Sequence, residues 1–184
     1  MIMKRLLLII CTISSLLSYG QDYEMLNFIN IYRVKNGCES VIYSEDLEKI
    51  AKTQNTLNTI SDSIAHSHKA SEIALKGNSS PATKISRDVF TNFLQKYFKL
   101  DYKEPKTEIE ALTLTKLYSI YLFSTSKNHN NILLGEYKYV GFDFVANNIK
   151  LKSNVVKIGD KEYKLNNVIS HHNVNFYVVI NFKK

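Results

Sequence analysis

The sequence predicts a single α+β domain. Apolar residues recur at helical spacing through the first two thirds of the chain, whereas after Leu134 the pattern changes to runs rich in Val, Ile, Phe and Tyr. Helices therefore come first and strands afterwards, without the strand-helix alternation that builds a parallel sheet. We expect flanking helices on a central antiparallel sheet, and 184 residues of 45% hydrophobic composition are enough for one core.

Residues 1–20 have the features of a signal peptide. Two basic residues precede an apolar run, Leu6 to Leu17, that is shorter than the ~18 residues a membrane-spanning helix needs. The Ser-Tyr-Gly that follows places small residues where a signal peptidase reads them. We expect cleavage after Gly20, leaving one exported domain over 21–184 without a membrane span.

Charge and cysteine content restrict the function. The formal net charge is +7, and it falls to +5 without the two basic residues of the leader. The lysines are scattered and no nucleic-acid motif is present, so we expect no nucleic-acid partner. Beyond Cys11 in the leader the chain holds only Cys38, which excludes an intrachain disulfide; its Asn-Gly-Cys-Glu context predicts a half-buried residue in a turn.

The first two predicted helices cover 22–36 and about 44–65. On the first, Asn27, Asn30 and Arg33 border an apolar face, where side chains can bond to neighbouring loops, and Asn36-Gly37 provides a stop. Ser44 is expected to cap the second, ahead of acidic residues favoured by the helix dipole. The residues predicted to face inward are Met25, Phe28, Ile29, Tyr32, Leu47, Ile50, Ala51, Gln54, Leu57 and Ile64.

Two more helices are predicted further along the chain. A loop over 77–83 precedes the third helix, which is expected to begin with Ser86 as its cap. An aromatic stripe on this helix, from Val89 to Phe98, is expected to pack in the core; the alternative is that the stripe contacts lipid. The fourth runs over 108–123, with Ile109, Leu112, Leu117 and Ile120 inward. Residues 124–133 are then expected to form a polar turn that carries His129 to a sheet edge.

Strands are predicted over 137–146, 149–158, 162–168 and 174–182. A Gly-Asp-Lys sequence at 159–161 indicates a hairpin between the second and third of these.

The motifs along the chain resemble, in type and order, those of the CAP superfamily, which comprises cysteine-rich secretory, antigen 5 and pathogenesis-related 1 proteins and secreted bacterial relatives. The matching positions are Asn30-x-x-Arg33, His66-Ser67, Glu72, Phe123, Ser126, His129, Asn131-Ile132-Leu133 and Val140-Gly141. Glu72 departs from the family pattern, because Ser71 precedes it in place of Gly and Ile73 follows it in place of Asn. No residue is assigned to the family's second pocket acid, although Glu108 and Glu110 are available.

The resemblance implies a three-layer αβα sandwich in which His66 and His129 face each other across a cleft, with Glu72 near both. Two neutral imidazoles with a carboxylate and water would be plausible Zn²⁺ ligands, so His66 and His129 are candidate metal ligands. The alternative is a hydrogen-bonded network without metal. His68 competes with His66 for the cleft position, whereas His171 and His172 are expected in an exposed turn.

We expect this cleft to bind an extracellular partner, a lipid or a glycan rather than to catalyse a reaction. No motif places a Ser or Cys nucleophile beside the histidines, and no HExxH pair is present. The competing prediction is a metal-dependent hydrolase in which His66 or His129 acts as general base or holds a metal that activates water. It requires Glu72 in the pocket.

Overall fold

The computed structural model describes residues 23–66, 70–79, 84–151, 155–158, 161–164 and 172–184, and the predicted signal peptide lies outside them. This part of the chain is mixed α+β, as predicted. Its helices are α1 (23–35), α2 (Glu45–Ser61), α3 (Lys84–Phe98), α4 (Glu108–Thr125) and α5 (Lys127–Leu133). Its strands are β1 (Ile42–Tyr43), β2 (Ser71–Asn78), β3 (Tyr139–Leu151), β4 (Val155–Ile158), β5 (Lys161–Lys164) and β6 (His172–Lys183).

The main sheet is mixed: the expected antiparallel pairing holds for β2, β6 and β3 but not for β1. Its strand order is β1-β3-β6-β2. β6 pairs antiparallel with both β2 and β3, but β1 pairs parallel with β3 because the intervening chain crosses over and returns in the same direction. β4 and β5 form a separate antiparallel pair whose last register position, Ile158 with Lys161, confirms the predicted hairpin.

The two faces of the main sheet differ in chemistry. On one face the strands contribute large apolar side chains to the main core, which helices α1, α3, α4 and α5 complete. On the other face the described apolar contact is small: Ala51 of α2 meets Ala74 and Val179. Because side chains alternate along a strand, the residues between the large apolar ones face α2. The core residues of the first face are Ile73, Val140, Phe142, Phe176, Val178, Ile180 and Phe182.

The α2 interface is more polar than predicted, although Leu47, Ala51 and Gln54 are buried as expected. Leu57 and Ile64, which were expected to point inward, are 56% and 38% exposed, whereas Asn55 and Asn58 are fully buried. Asn55 Nδ2 donates to Asp143 Oδ2 at 2.8 Å, so the sheet itself supplies a polar partner. Because the strand residues on this face are polar, α2 turns its asparagine side chains toward the sheet and leaves Leu57 toward solvent.

Helix α2 also ends earlier than predicted. Ser44 caps its start as expected, accepting a hydrogen bond from the Leu47 backbone at 3.4 Å. Its end is at Ser61, because Asp62 adopts a left-handed conformation with φ of 50°. Lys76 donates to the Asp62 carboxylate at 2.7 Å, which fastens this turn to β2.

Several other boundaries differ from the predictions. Strand β2 was not predicted, and it includes Gly77 and Asn78, which were expected in a loop. Its Glu, Ala, Leu and Lys favour helix, so the pairing with β6 overrides local propensity. Helix α3 begins at Lys84, before the expected Ser86 cap. Val89 and Ile109, expected inward, are 46% and 76% exposed.

The stretch predicted as a polar turn is largely helix α5. Its backbone bonds include Asn130 N to Ser126 O at 2.8 Å and Leu134 N to Asn130 O at 3.0 Å. A seven-residue helix containing three asparagines has little intrinsic stability. Contacts with the rest of the fold must therefore hold it.

Arg33 supplies the strongest of these contacts. Its side chain is 1% exposed and donates three hydrogen bonds to backbone carbonyls. Nη1 reaches Leu133 O at 2.6 Å, Nη2 reaches Gly135 O at 3.1 Å, and Nε reaches Glu39 O at 3.0 Å. The first two acceptors lie at the C-terminal end of α5, where carbonyls lack helical partners and carry partial negative charge. The guanidinium thus joins α1 to the end of α5.

Asn30, one turn earlier on α1, acts on β1. Its Nδ2 donates to Val41 O at 3.0 Å, and its Oδ1 accepts from Val41 N at 2.8 Å. The amide thereby satisfies the backbone just before β1 as a neighbouring strand would. The expectation that polar residues on α1 bond to neighbouring loops is confirmed for Asn30 and Arg33, whereas Asn27 is exposed.

We predict that Arg33→Lys lowers the free energy of unfolding by about 3 kcal/mol, because a lysine cannot reach three diverging carbonyls and leaves buried acceptors unpaired. Urea unfolding of residues 21–184 measures the change. Arg87→Lys is the matched control: Arg87 pairs with Glu104 at 3.2 Å and is partly exposed, so its loss should stay below about 1 kcal/mol. Equal losses in the two variants would contradict the role given to Arg33.

We predict that Gly141→Ala destabilises the domain by at least about 2 kcal/mol, because an added Cβ would collide with the backbone of Leu47 and Glu48 on α2. Gly37→Ala is the control. Gly37 has φ of +79° and open space around its Cα, so that substitution should cost about 1 kcal/mol of backbone strain alone. Thermal or urea unfolding separates the two effects, and a smaller loss at Gly141 than at Gly37 would be inconsistent with close packing of α2.

Candidate functional site

His66 lies just after α2 and is held by Glu72 at the start of β2. Its Nδ1 is 3.0 Å from Glu72 Oε1. The histidine side chain is 41% exposed, whereas the glutamate side chain is only 3% exposed. Because a carboxylate only accepts hydrogen bonds, Nδ1 carries the proton, which fixes the tautomer of the neutral ring. A buried acid thus orients an accessible imidazole.

Glu72 is also contacted by Asn181, which is fully buried on β6. The two residues are register partners, and Asn181 pairs on its other side with Gly141 of β3. The Asn181 amide has its nitrogen toward Glu72 Oε2 and its oxygen toward Ala51 N, each at 3.1 Å, since the opposite orientation would set like groups against each other. Both oxygens of Glu72 therefore receive hydrogen bonds.

His129 lies on α5, and its ring stands edge-on to Phe123 with 5.5 Å between ring centroids. Burial, first, and the neighbouring His66, second, lower the pKa of His129 from its ordinary value of 6.5. Both effects favour the uncharged ring, so His129 is neutral at neutral pH. The hydrogen bond between His66 and Glu72 and the influence of His66 on His129 are the two links among the predicted site residues.

Helix α1 fixes the position of α5, the helix that carries His129. Tyr32 is 3% exposed, and its hydroxyl donates to Asn130 Oδ1 at 2.9 Å. Burial is the main reason that the pKa of Tyr32 rises to about 12, so this hydroxyl remains a donor at any physiological pH. Tyr32 and Arg33, adjacent on α1, thus hold the middle and the end of α5.

Other candidate residues lie elsewhere in the fold or outside the described ranges. His68 and His171 are outside them, and His172 is the first residue of β6 rather than part of a turn. Glu108 and Glu110 are exposed in the first turn of α4, where Glu110 Oε2 accepts from Lys106 N at 2.6 Å. Cys38 is half-buried as predicted, with Sγ 3.2 Å from Leu134 O.

The donors present do not fit a metal centre. Within the described residues, no group of three or more His, Cys, Asp or Glu side chains is arranged to hold a metal ion. Glu72 Oε1 faces His66 Nδ1, and its Oε2 faces the Asn181 amide, so the acid is committed to hydrogen bonds. Zn²⁺ ligation by His66 and His129 stays a prediction.

The aromatic stripe of α3 packs in the core, as its periodicity predicted. Phe90, Phe93 and Leu94 are 1%, 7% and 1% exposed. Phe90 packs edge-on against Tyr118 of α4, with ring centroids 5.1 Å apart. Such edge-to-face pairs are a preferred geometry for buried aromatic rings.

Sequence reasoning did not identify Asn181. The only signal is a single polar residue within the apolar run Val178 to Phe182. Its importance depends on strand register, which sequence periodicity alone does not give.

No protein-family model, curated protein or solved structure matches this chain. Within the described ranges, the helices are too short or too polar to cross a membrane.

We predict that domain stability falls as the pH drops below 6.5. Below this value the unfolded chain binds a proton at His129 that the folded chain, with its lowered pKa, does not bind. The contribution of His129 to the free energy of unfolding is therefore complete above the pKa of this residue in the unfolded chain, and it is lost as the pH falls from that value to the pKa in the folded chain. Urea unfolding across this window measures the effect, and His129→Gln should remove this component.

His66→Ala should move the His129 pKa back toward 6.5 in an NMR titration; an unchanged value would exclude the coupling.

Proposed function

We propose that this chain is an exported CAP-like domain that binds an extracellular ligand through a cleft formed by His66, Glu72 and His129. The proposal is supported mainly by the hydrogen bond from His66 Nδ1 to Glu72 Oε1, 3.0 Å long, beside a His129 whose pKa responds to His66. The three residues come from α5, β2 and the segment after α2. The hydrogen bond and the pKa effect link residues that are far apart in the sequence, which supports a shared cleft.

The proposed architecture is the three-layer αβα sandwich of that family. In support, α2 packs on one face of the main sheet through Ala51, while α1, α3, α4 and α5 contribute to the core on the other. The proposed export rests on the sequence of residues 1–20, whose basic and apolar regions are typical of a signal peptide.

Binding fits the site better than turnover. Glu72 is 3% exposed and both of its oxygens accept hydrogen bonds, so it is poorly placed to exchange a proton with a ligand. A neutral, partly exposed His129 offers hydrogen-bonding groups without a charge. Such groups suit the hydroxyl and amide groups of a surface glycan.

We predict that residues 21–184 co-sediment with insoluble peptidoglycan sacculi and release no soluble fragments. His129→Ala should weaken binding at least about tenfold, or ~1.4 kcal/mol, because it removes a cleft side chain. Lys52→Ala is the control for non-specific attraction of a basic protein to the wall, since Lys52 is exposed on α2. A folded His129→Ala variant that binds as the wild type does, or an equal loss with Lys52→Ala, would refute glycan binding at this site.

The alternative function is a hydrolase that uses the same cleft. It is favoured by the His66–Glu72 pair, because a carboxylate that orients a histidine is the arrangement that prepares a general base. The metal-dependent form has less support, since the described donors do not form a metal centre. Release of soluble fragments from sacculi, abolished by His66→Ala in a folded protein, would establish the hydrolase in place of the binding domain.

A further inference from the structure

A row of three residues on the sheet, beneath α2, links the backbone of that helix to the side chain of His66. Gly141, Asn181 and Glu72 are aligned across β3, β6 and β2 by register. Gly141 has no side chain to keep α2 away, and a Cβ at this position would meet the backbone of Leu47 and Glu48. The close approach brings the α2 backbone within reach of a short amide on the sheet.

Asn181 bridges this helix and the buried acid. Its oxygen accepts from Ala51 N and its nitrogen donates to Glu72 Oε2, each at 3.1 Å. With one end fixed to helix backbone, the amide has a defined orientation. It therefore fixes the carboxylate plane of Glu72, whose other oxygen is 3.0 Å from His66 Nδ1.

We infer that Asn181 is a positioning residue for the cleft: through Glu72 it sets the tautomer and ring orientation of His66. An amide at this position supplies a donor to the carboxylate, whereas a second acid would add a repelling charge. An apolar residue of similar size would fill the space but leave Glu72 Oε2 without this bond. The role of Asn181 in ligand binding rests on the proposed function, whereas its control of the His66 ring does not.

The test is the imidazole ¹⁵N spectrum of His66 in residues 21–184 at neutral pH, which distinguishes the Nδ1–H from the Nε2–H tautomer. The wild type should show mainly the Nδ1–H form. Asn181→Leu should give a mixture of tautomers and at least about tenfold faster exchange of the Nδ1 proton, because the carboxylate loses the hydrogen bond that orients its plane. Asn175→Leu is the control, an exposed asparagine on the same strand, and should leave the spectrum unchanged.

A double variant separates positioning from stability. Asn181→Asp should destabilise the fold, and adding Glu72→Gln should restore much of that loss, because the amide and carboxylate exchange places. The His66 Nδ1–H tautomer should return as well, because the amide nitrogen at position 72 then donates to the carboxylate at position 181 and leaves the amide oxygen at position 72 as the acceptor for His66 Nδ1. Recovery of stability without recovery of the tautomer would overturn the inference.

The wild-type spectrum is informative even if the variants do not fold. A wild-type His66 in the Nε2–H form would reject the inference without any substitution. The spectrum requires no ligand, so failure to bind sacculi would reject the proposed function and leave the positioning role intact.

Discussion

The buried guanidinium of Arg33 is the constraint on which the rest of the structure depends. A cation that is 1% exposed must satisfy its donors inside the protein, and burial already lowers its pKa. It does so with three backbone carbonyls, two of them at the end of α5. Because α5 is short and rich in asparagine, it keeps its place only while α1 holds it. The location of His129 is therefore decided by α1, about a hundred residues earlier in the sequence.

The second constraint acts on the opposite face of the sheet. Main cores exclude unpaired polar groups, so a polar site needs a surface where amides and acids can bond to each other. The α2 interface is such a surface: Asn55 bonds to Asp143, and Asn181 bonds to Glu72. The bond from Asn55 and the contact of Asn181 with Ala51 N require helix α2 to come close to the sheet, which Gly141 allows. Small residues at this interface thus allow the close approach that the hydrogen bonds need, and the bond from Asn181 orients the side chain of Glu72.

These two constraints explain how much of the molecule could be predicted from sequence. Periodicity identified four helices, the hairpin and the Ser44 cap, because each is encoded by neighbouring residues. It failed for β2, which becomes a strand only by pairing with β6, and for α5, which is stabilised by Arg33 and Tyr32. It also placed Leu57 inward, because the polarity of the opposing sheet face is invisible from α2 alone. The residues His66, Glu72 and His129 were found through motif resemblance, whereas Asn181 is revealed only by strand register.

The site contains one acid with two histidines, and this charge balance restricts its chemistry. Glu72 receives a hydrogen bond on each oxygen, so its negative charge is stabilised, though not cancelled, before any ligand arrives. The lowered pKa of His129 removes the other charge near neutral pH. The proposed cleft would then carry the single, buried charge of Glu72, so it would recognise ligands mainly by directed hydrogen bonds. The basic surface of the chain could still bring it to an acidic polymer, but that attraction would act over the whole surface and would be screened by salt. Recognition by the cleft would be much less sensitive to salt, so the salt dependence of sacculus binding distinguishes the two contributions.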